Sequence, residues 1–234
     1  MLHFFGRGSA FARDNTCAYF RDGGALVLLD FSLCAFQKFK ALDFSDAERI
    51  YVLVTHTHGD HVSGIGTLIH YAKYCIGVPV MVVVPCEAIG KDMEYLLGTI
   101  EGCDPAAFEV LPVYALEEPW FDVAIETQHS ASLAGRCFGY ALRVEGKYVV
   151  YTGDTNTLSP YLAAMEANGN PAGTVLYTEA SSKESGVHLY LEEHLQELLA
   201  LCEAGTNVCL MHLDDEEKIR QMIEGTPLQI VEVD

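Results

Sequence analysis

The sequence predicts a mixed α/β protein in which strands, many of them in antiparallel hairpins, are interspersed with helices. Three observations support this class: short β-branched and aromatic runs recur along the chain, Gly-containing turns join several of them, and apolar positions at helical spacing lie between others. Half of the 234 residues are hydrophobic, so the chain can bury a sizeable core. Its length fits one large domain or two tightly joined half-domains, and we expect a single domain spanning residues 1–234.

The predicted elements follow one another in the same style in both halves of the chain. Residues 16–20 and 25–30 flank the turn Asp22-Gly23-Gly24 and predict a hairpin. Two β-branched runs at 50–54 and 80–84 predict buried strands, and residues 64–74 between them carry apolar side chains on one helical face. The second half predicts strands at 121–127, 138–144, 148–151, 174–177 and 207–211, and helices at 158–168 and 189–203.

The balance of charge excludes some classes of partner. The chain contains 33 Asp and Glu against 14 Lys and Arg, a formal net charge of −19. Affinity for nucleic acids and for anionic membranes depends on clustered basic residues, so neither is a predicted partner. No apolar run reaches the ~20 residues of a membrane span, and no signal peptide is recognised. The eight cysteines form no CxxC pair, which is typical of reduced thiols in the cytoplasm.

Three histidines and one aspartate lie together after the third predicted strand, where residues 55–61 read Thr-His-Thr-His-Gly-Asp-His. Imidazole and carboxylate groups are ligands that Zn²⁺ and similar divalent ions prefer. In an extended segment residues two apart project to the same side, so His56 and His58 can bind one ion. After the turn at the glycine, Asp60 and His61 point elsewhere and can bind a second ion. Two ions about 4 Å apart would activate a water molecule.

This segment resembles the signature His-x-His-x-Asp-His of the metallo-β-lactamase-fold hydrolases, and the resemblance extends along nearly the whole chain. Residues 151–155 read Tyr-Thr-Gly-Asp-Thr, similar to the family's Gly-Asp-Thr, and two further histidines follow predicted strands. The resemblance implies a four-layer αββα sandwich with two metal ions at one edge, between its two sheets. It implies His56, His58 and His129 as ligands of one ion, Asp60, His61 and His212 as ligands of the other, and Asp154 as the bridge.

Two further segments are similar to the ribonuclease Z and phosphodiesterase branch of this family. Residues 6–10 read Gly-Arg-Gly-Ser-Ala and are followed by Asn15, like the glycine loop that begins these enzymes, where backbone N–H groups can approach an anion. Glu179 at a strand end, followed by His188, is similar to the branch's pair in which the histidine assists the leaving group and the glutamate orients it. The resemblance implies these two residues as catalytic groups. We add Asp60 as the third, on the hypothesis that this metal ligand also orients the attacking hydroxide.

Other features depart from ribonuclease Z. Leu189-Tyr190 replaces the Ser-Thr that usually follows the histidine, and no basic insertion for gripping tRNA is present. The chain is also shorter than a typical member. Two divalent ions would change the net charge only from −19 to −15. A small, anionic ester is therefore predicted as the substrate in preference to a nucleic acid.

The sequence predicts an enzyme, a hydrolase in which two divalent ions activate water for attack on a small, nucleotide-like phosphodiester. Zn²⁺ is the simplest choice of metal, and Mn²⁺ or Fe also suits these ligands. A thioesterase, lactonase or glyoxalase-II-like hydrolase is the first alternative and needs no leaving-group histidine. A non-catalytic metal-binding or sensor protein on the same fold is the second, and redox members of the family are the last. The expected location is the cytoplasm, and a homodimer is the assembly considered.

Overall fold

The computed structural model describes residues 1–234, and the chain forms two compact units. The N-terminal unit consists of residues 2–6, 13–118 and 233–234. The C-terminal unit consists of residue 1 and residues 7–12 and 119–232. That residues 1–234 act as a single domain stays a prediction. In neither unit is a helix long and apolar enough to serve as a membrane span.

The N-terminal unit contains a six-stranded sheet whose strands lie side by side in sequence order. They are β1 (His3–Gly6), β2 (Cys17–Asp22), β3 (Ala25–Leu29), β4 (Arg49–Leu53), β5 (Val80–Val84) and β6 (Phe108–Pro112). The first two pairings are antiparallel and the other three are parallel. The predicted hairpin is confirmed as β2 and β3, with Asp22 paired to Ala25 across the turn.

Helices connect the parallel strands of this sheet. They are α1 (Phe36–Ala41), α2 (Gly59–Val62), α3 (Ile65–Tyr71) and α4 (Glu87–Glu94). In α3 the predicted apolar face is confirmed, because Ile65, Leu68 and Ile69 are fully buried. All five residues of β3 are also buried, as expected of a strand that is covered on both faces.

The C-terminal unit repeats this arrangement with a second six-stranded sheet, again in sequence order. Its strands are β7 (Phe121–Glu126), β8 (Phe138–Val144), β9 (Lys147–Tyr151), β10 (Thr174–Glu179), β11 (Asn207–Met211) and β12 (Gln229–Ile230). As in the first sheet, two antiparallel pairings are followed by three parallel ones. The expectation of considerable antiparallel pairing thus holds for the hairpins at the start of each sheet.

Three helices belong to the C-terminal unit: α5 (Ser159–Asn168), α6 (Leu191–Glu203) and α7 (Glu216–Met222). Their apolar side chains pack with those of the sheet in one core cluster that includes Tyr161, Leu176, Leu198 and Leu210, all fully buried. This packing holds the parallel strands as a rigid base for the loops that follow them.

The direction of the strands decides where the predicted site residues lie. Parallel strands have their carboxyl ends at the same edge of a sheet, which is where α/β proteins place binding sites. In the C-terminal unit β9, β10 and β11 are parallel neighbours. Asp154 closely follows β9, Glu179 ends β10, and His212 directly follows β11. In the N-terminal unit the segment 55–61, which carries three histidines and is called the histidine segment below, likewise follows β4.

Candidate metal centre and active site

The histidine segment of the N-terminal unit runs from the carboxyl end of β4 into α2. His56 is fully buried, and its Nε2 atom lies 3.0 Å from Nδ1 of His58. Two nitrogen ligands of a tetrahedral zinc ion, each about 2.0–2.1 Å from the metal, are themselves roughly 3.3 Å apart. The two imidazoles therefore have the separation expected of two ligands of one divalent ion.

Asp60 and His61 form a second pair of donors in α2. The Nε2 atom of His61 lies 3.3 Å from Oδ2 of Asp60, and the His61 side chain is 1% exposed. The ring centroids of His56 and His61 are 4.1 Å apart, so the two donor pairs lie side by side. The four predicted site residues of this unit are thus brought together.

Asp30, which was not predicted as a site residue, is hydrogen-bonded to His61 and Thr55 of this cluster. It is fully buried directly after β3, and its Oδ2 atom accepts a hydrogen bond of 2.8 Å from Nδ1 of His61. The backbone N–H and the hydroxyl of Thr55 also donate to its carboxylate, each at 2.8 Å. A carboxylate that holds Nδ1–H of a histidine fixes the ring so that Nε2 is free to bind a metal ion. The available signal was an acidic residue at the end of an otherwise apolar strand.

In the C-terminal unit, Asp154 lies between two of the predicted histidine ligands. It is 2% exposed. Its Oδ1 atom lies 3.3 Å from Nε2 of His212, and its Oδ2 atom lies 3.7 Å from Nε2 of His129. Each carboxylate oxygen faces a different imidazole. This arrangement suits a carboxylate that bridges two ions.

The surroundings of the two histidines orient their rings. Nδ1 of His129 donates to the carbonyl oxygen of Val187 at 2.7 Å, which leaves Nε2 as the electron-pair donor. His212 has a φ of 52°, a left-handed conformation that residues other than glycine rarely adopt and that clusters at functional sites. Both rings therefore present Nε2 to Asp154.

Glu179 and His188 form a hydrogen-bonded pair beside these residues. Glu179 is fully buried and accepts a hydrogen bond of 2.7 Å from Nδ1 of His188. It also accepts one from the backbone N–H of Thr155. Partial burial lowers the pKa of His188, but the hydrogen bond and the charges of Glu179 and Asp154 outweigh this effect, and the pKa is raised above its ordinary value. The pair can therefore hold a proton at the site.

A cavity of about 260 Å³ opens beside this pair, entirely within the C-terminal unit. Residues of the 9–11 loop and of the segment that carries His188 line it, together with Glu179, His212 and Asp214. The ligand atoms of His129, Glu179 and His188 lie within 4.8 Å of one another. All predicted site residues of this unit are thus brought together, and their imidazole and carboxylate donors fit a divalent ion.

Comparison with solved structures shows the fold. The metallo-β-lactamase-fold protein YhfI from Bacillus subtilis is similar with a TM-score of 0.74 and 15% identity, covering 99% of this chain and 95% of that chain. A diphosphatase of the PhnP family gives 0.70 and 17% identity, covering 99% and 94%. The short form of human tRNase Z gives 0.66 and 14%, covering 99% and 96%. The predicted fold class, metallo-β-lactamase-like α/β, is confirmed by these likenesses.

Comparison of sequences identifies a narrower family than the ribonuclease Z and phosphodiesterase branch that was predicted from the sequence. The Anti-Pycsar protein Apyc1 of Paenibacillus xerothermodurans is 27% identical over 228 residues, which cover 92% of this chain and 88% of that protein. The protein of the same name from Saccharibacillus brassicae is 28% identical over 227 residues, covering 93% and 91%. The sequence model of the family described as Anti-Pycsar protein Apyc1 matches residues 1–232. Because this match spans nearly the whole chain, the protein belongs to the Anti-Pycsar protein Apyc1 family.

Proposed function

We propose that this protein is a metal-dependent hydrolase of a small, nucleotide-like phosphodiester. The observation that carries the proposal is the hydrogen-bonded pair of His188 and Glu179, which lies next to Asp154 and opens into a cavity. A protonated imidazole held in this way can donate its proton to a departing oxygen. Hydrolases of thioesters and lactones have no need of such a group at this place.

We propose the metal ligands that the family resemblance implies. His56, His58 and His129 would hold one ion, Asp60, His61 and His212 would hold the other, and Asp154 would bridge them. The imidazole and carboxylate donors suit Zn²⁺, with Mn²⁺ or Fe as alternatives. The separations of His56 from His58, and of Asp154 from its two histidines, support this assignment.

The residues of this chain have separate tasks in the proposed reaction. Bound divalent ions would supply activation of water and neutralisation of charge on the substrate. Asp60 would accept a hydrogen bond from the attacking water and so orient it. His188 would donate a proton from Nε2 to the leaving oxygen, because its Nδ1 atom is bound to Glu179. Glu179 would keep the ring in place and stabilise its charged form.

A cyclic nucleotide is the phosphodiester we favour. The relatives are named for an action against Pycsar, and enzymatic degradation of a small nucleotide suits such an action. The net charge of −19 opposes binding of a long polyanion. A single nucleotide carries far less charge than an RNA, and it is closer to the size of the cavity.

A hydrolysis panel on the metal-loaded protein tests this proposal. It should pair bis(p-nitrophenyl) phosphate and cyclic nucleotides with thioesters and lactones, with metal content measured on the same sample. We expect turnover of the phosphodiesters, its loss in chelator, and its recovery when metal is returned. His212→Ala should abolish turnover, whereas His194→Ala, a histidine on α6, should not.

Each alternative gives a different result in this panel. Activity confined to thioesters or lactones would overturn the choice of a phosphodiester. Bound metal with no turnover of any ester would support a sensor protein. Full activity in chelator, with no metal in the purified protein, would remove the metal-dependent mechanism altogether. The expected homodimer and cytoplasmic location stay predictions, to be checked by light scattering and by fractionation of cells.

A further inference from the structure

We propose that Phe11 and Lys183 form a nucleotide subsite, in which the phenyl ring stacks on the base and the ammonium group contacts the phosphate. Both residues line the cavity that His188 also lines. The proposal rests on the proposed function and adds how that substrate is recognised. It concerns only residues of the C-terminal unit.

The exposure of Phe11 is unusual in this chain. Its side chain is fully exposed, at 102% of the reference value, whereas the other ten phenylalanines are buried or half-buried. An exposed phenyl ring forgoes the stabilisation that burial of its apolar surface would give. A ring kept in solvent at the rim of a cavity is therefore available to a ligand.

The loop that carries Phe11 is anchored at its base. The backbone N–H of Ser9 donates to the carbonyl of Leu213 at 3.0 Å, and that of Leu213 donates to the carbonyl of Arg7 at 2.9 Å. A further bond of 3.0 Å, from the N–H of Ala12 to the carbonyl of Ser9, closes the turn around the ring. The backbone of the loop that carries Phe11 is thus ordered before a ligand binds, which reduces the entropy lost on binding.

The cavity lining contains one lysine and two carboxylates, and both carboxylates have hydrogen-bond partners within the protein. The carboxylate of Asp214 accepts hydrogen bonds from the N–H and the hydroxyl of Ser182 at 2.7 and 3.1 Å. The carboxylate of Glu179 is bound to His188. Both carboxylates of the cavity lining therefore accept hydrogen bonds within the protein, and Lys183 is the lysine among its lining residues.

An aromatic residue and a lysine beside one cavity match a ligand that is both aromatic and anionic. A nucleotide has this combination, since its base has a π-face and its phosphate a negative charge. The volume of about 260 Å³ is near the lower end of the range for small-molecule sites, roughly 300–1,000 Å³. The cavity therefore suits a mononucleotide.

Kinetics with two matched substrates test the stacking. One is a 3′,5′-cyclic nucleotide, and the other is the same cyclic sugar phosphate with hydrogen in place of the base. We expect Phe11→Ala to raise KM for the nucleotide on the order of 10-fold, with little change in kcat, and to leave the base-free substrate unaffected. Phe11→Trp should preserve the low KM. Tyr95→Ala, which removes another exposed aromatic ring (61% exposed), is the control and should change neither substrate.

A fluorescence measurement tests binding without turnover. The chain has a single tryptophan, Trp120, which is 1% exposed, so Phe11→Trp adds the one exposed indole. We expect a nucleoside monophosphate to quench this emission, and ribose 5-phosphate to leave it unchanged. Lys183→Gln, introduced together with Phe11→Trp, should weaken the nucleotide quenching several-fold.

The outcomes separate this proposal from the proposed function. Equal loss of activity of Phe11→Ala on both substrates, or no loss on either, would overturn the stacking even in an active phosphodiesterase. Quenching by nucleotide in a protein that hydrolyses no phosphodiester would contradict the proposed function and support the subsite. Absence of both quenching and turnover would contradict both.

Discussion

The proposed role of His188 as a proton donor is the residue-scale feature that most directly separates a phosphodiesterase from the alternative hydrolases. An alkoxide leaving group, such as the ribose oxygen of a cyclic nucleotide, needs a proton, whereas p-nitrophenolate leaves without one. We therefore expect His188→Ala to lower kcat for a cyclic nucleotide by roughly 10²–10⁴-fold. On bis(p-nitrophenyl) phosphate the loss should be less than about 10-fold, because general acid catalysis contributes little there.

The control for this variant is His194→Ala. His194 is half-buried on α6 and hydrogen-bonded to Glu197 at 3.1 Å, so its removal deletes an imidazole of similar exposure away from the site. Steady-state kcat values on both substrates decide the matter. An equal loss on the two substrates would show that His188 acts through structure or binding and not as a proton donor.

Asp30 gives a second prediction at this scale. In Asp30→Asn an amide N–H can face Nδ1 of His61, and two donors cannot share one hydrogen bond. The ring would then move its proton to Nε2, the atom that would bind metal. We expect metal affinity, measured by competition with a chromogenic chelator, to fall about 10- to 100-fold.

Asp43→Asn is a matched control for the effect of replacing an aspartate that has a left-handed backbone conformation. Asp43 also has a left-handed φ, 51° against 58° for Asp30, but it is exposed and forms hydrogen bonds with nearby Ser45. Unchanged metal affinity in Asp30→Asn would show that the buried carboxylate only supports the fold of the strand end.

At the scale of elements, strands with strong periodic signals could be predicted and weak ones could not. The runs 80–84, 138–144 and 207–211 coincide with β5, β8 and β11 because they are mostly apolar and contain β-branched or aromatic residues. The strand β6 was not predicted, since Phe108–Pro112 is mostly half-buried and includes a proline. The helix α4 was also missed, because its sequence contains a glycine and few apolar residues.

In the candidate site, too, residues that belong to a local pattern could be predicted and contacts between distant parts of the chain could not. Ligands could be predicted from a local spacing, as in residues 56–61, or from their place after a strand. Asp30 contacts His61 across 31 positions of the chain, and no local pattern reports such a pairing. The cavity likewise depends on the 9–11 loop lying beside the segment that carries His188. That proximity arises from the tertiary fold alone.

The loop 7–12 and α7 are joined by an ion pair that should make stability depend on pH. Nε and Nη2 of Arg7 donate to the two carboxylate oxygens of Glu216, each at 2.8 Å. Partial burial raises the pKa of Glu216, but hydrogen bonds from Arg220 and Arg7 outweigh it and the pKa is lowered. Stability from a carboxylate with a lowered pKa is present above the unfolded value, about 4.3, and is lost as pH falls through the folded value.

We therefore expect Arg7→Met to lower the free energy of unfolding by about 1 kcal/mol or less near neutral pH, since the pair is partly exposed. The difference from wild type should shrink as the pH falls below about 4. Urea unfolding at several pH values measures it, with Lys147→Met, an exposed cation on β9, as the control. A difference that stays constant down to acid pH would show that packing of the Arg7 stem, and not its charge, is what matters.

At the scale of the whole molecule, the acidity that opposes nucleic-acid binding should also act on a small anionic substrate. A chain with a net charge of −19 repels an anion over distances comparable to the Debye length, about 10 Å at 0.1 M salt. Lys183 in the cavity lining attracts the same anion, but only at short range. Whether kcat/KM rises or falls with added salt therefore shows which effect dominates the association of substrate with the protein, the long-range repulsion or the short-range attraction.

We expect the long-range repulsion to dominate the association of substrate with the protein, because the acidic residues outnumber the basic ones by 33 to 14. Raising the ionic strength from about 20 to about 200 mM should then increase kcat/KM for a cyclic nucleotide about 2- to 5-fold, as screening weakens the repulsion. A neutral ester that the protein also hydrolyses, or a neutral methyl triester of the same nucleotide used as a binding probe, should show no such change. A fall in kcat/KM with salt would mean that local attraction by Lys183 and the bound metal outweighs the charge of the whole chain. In that case the net charge would carry no information about how the substrate reaches the site.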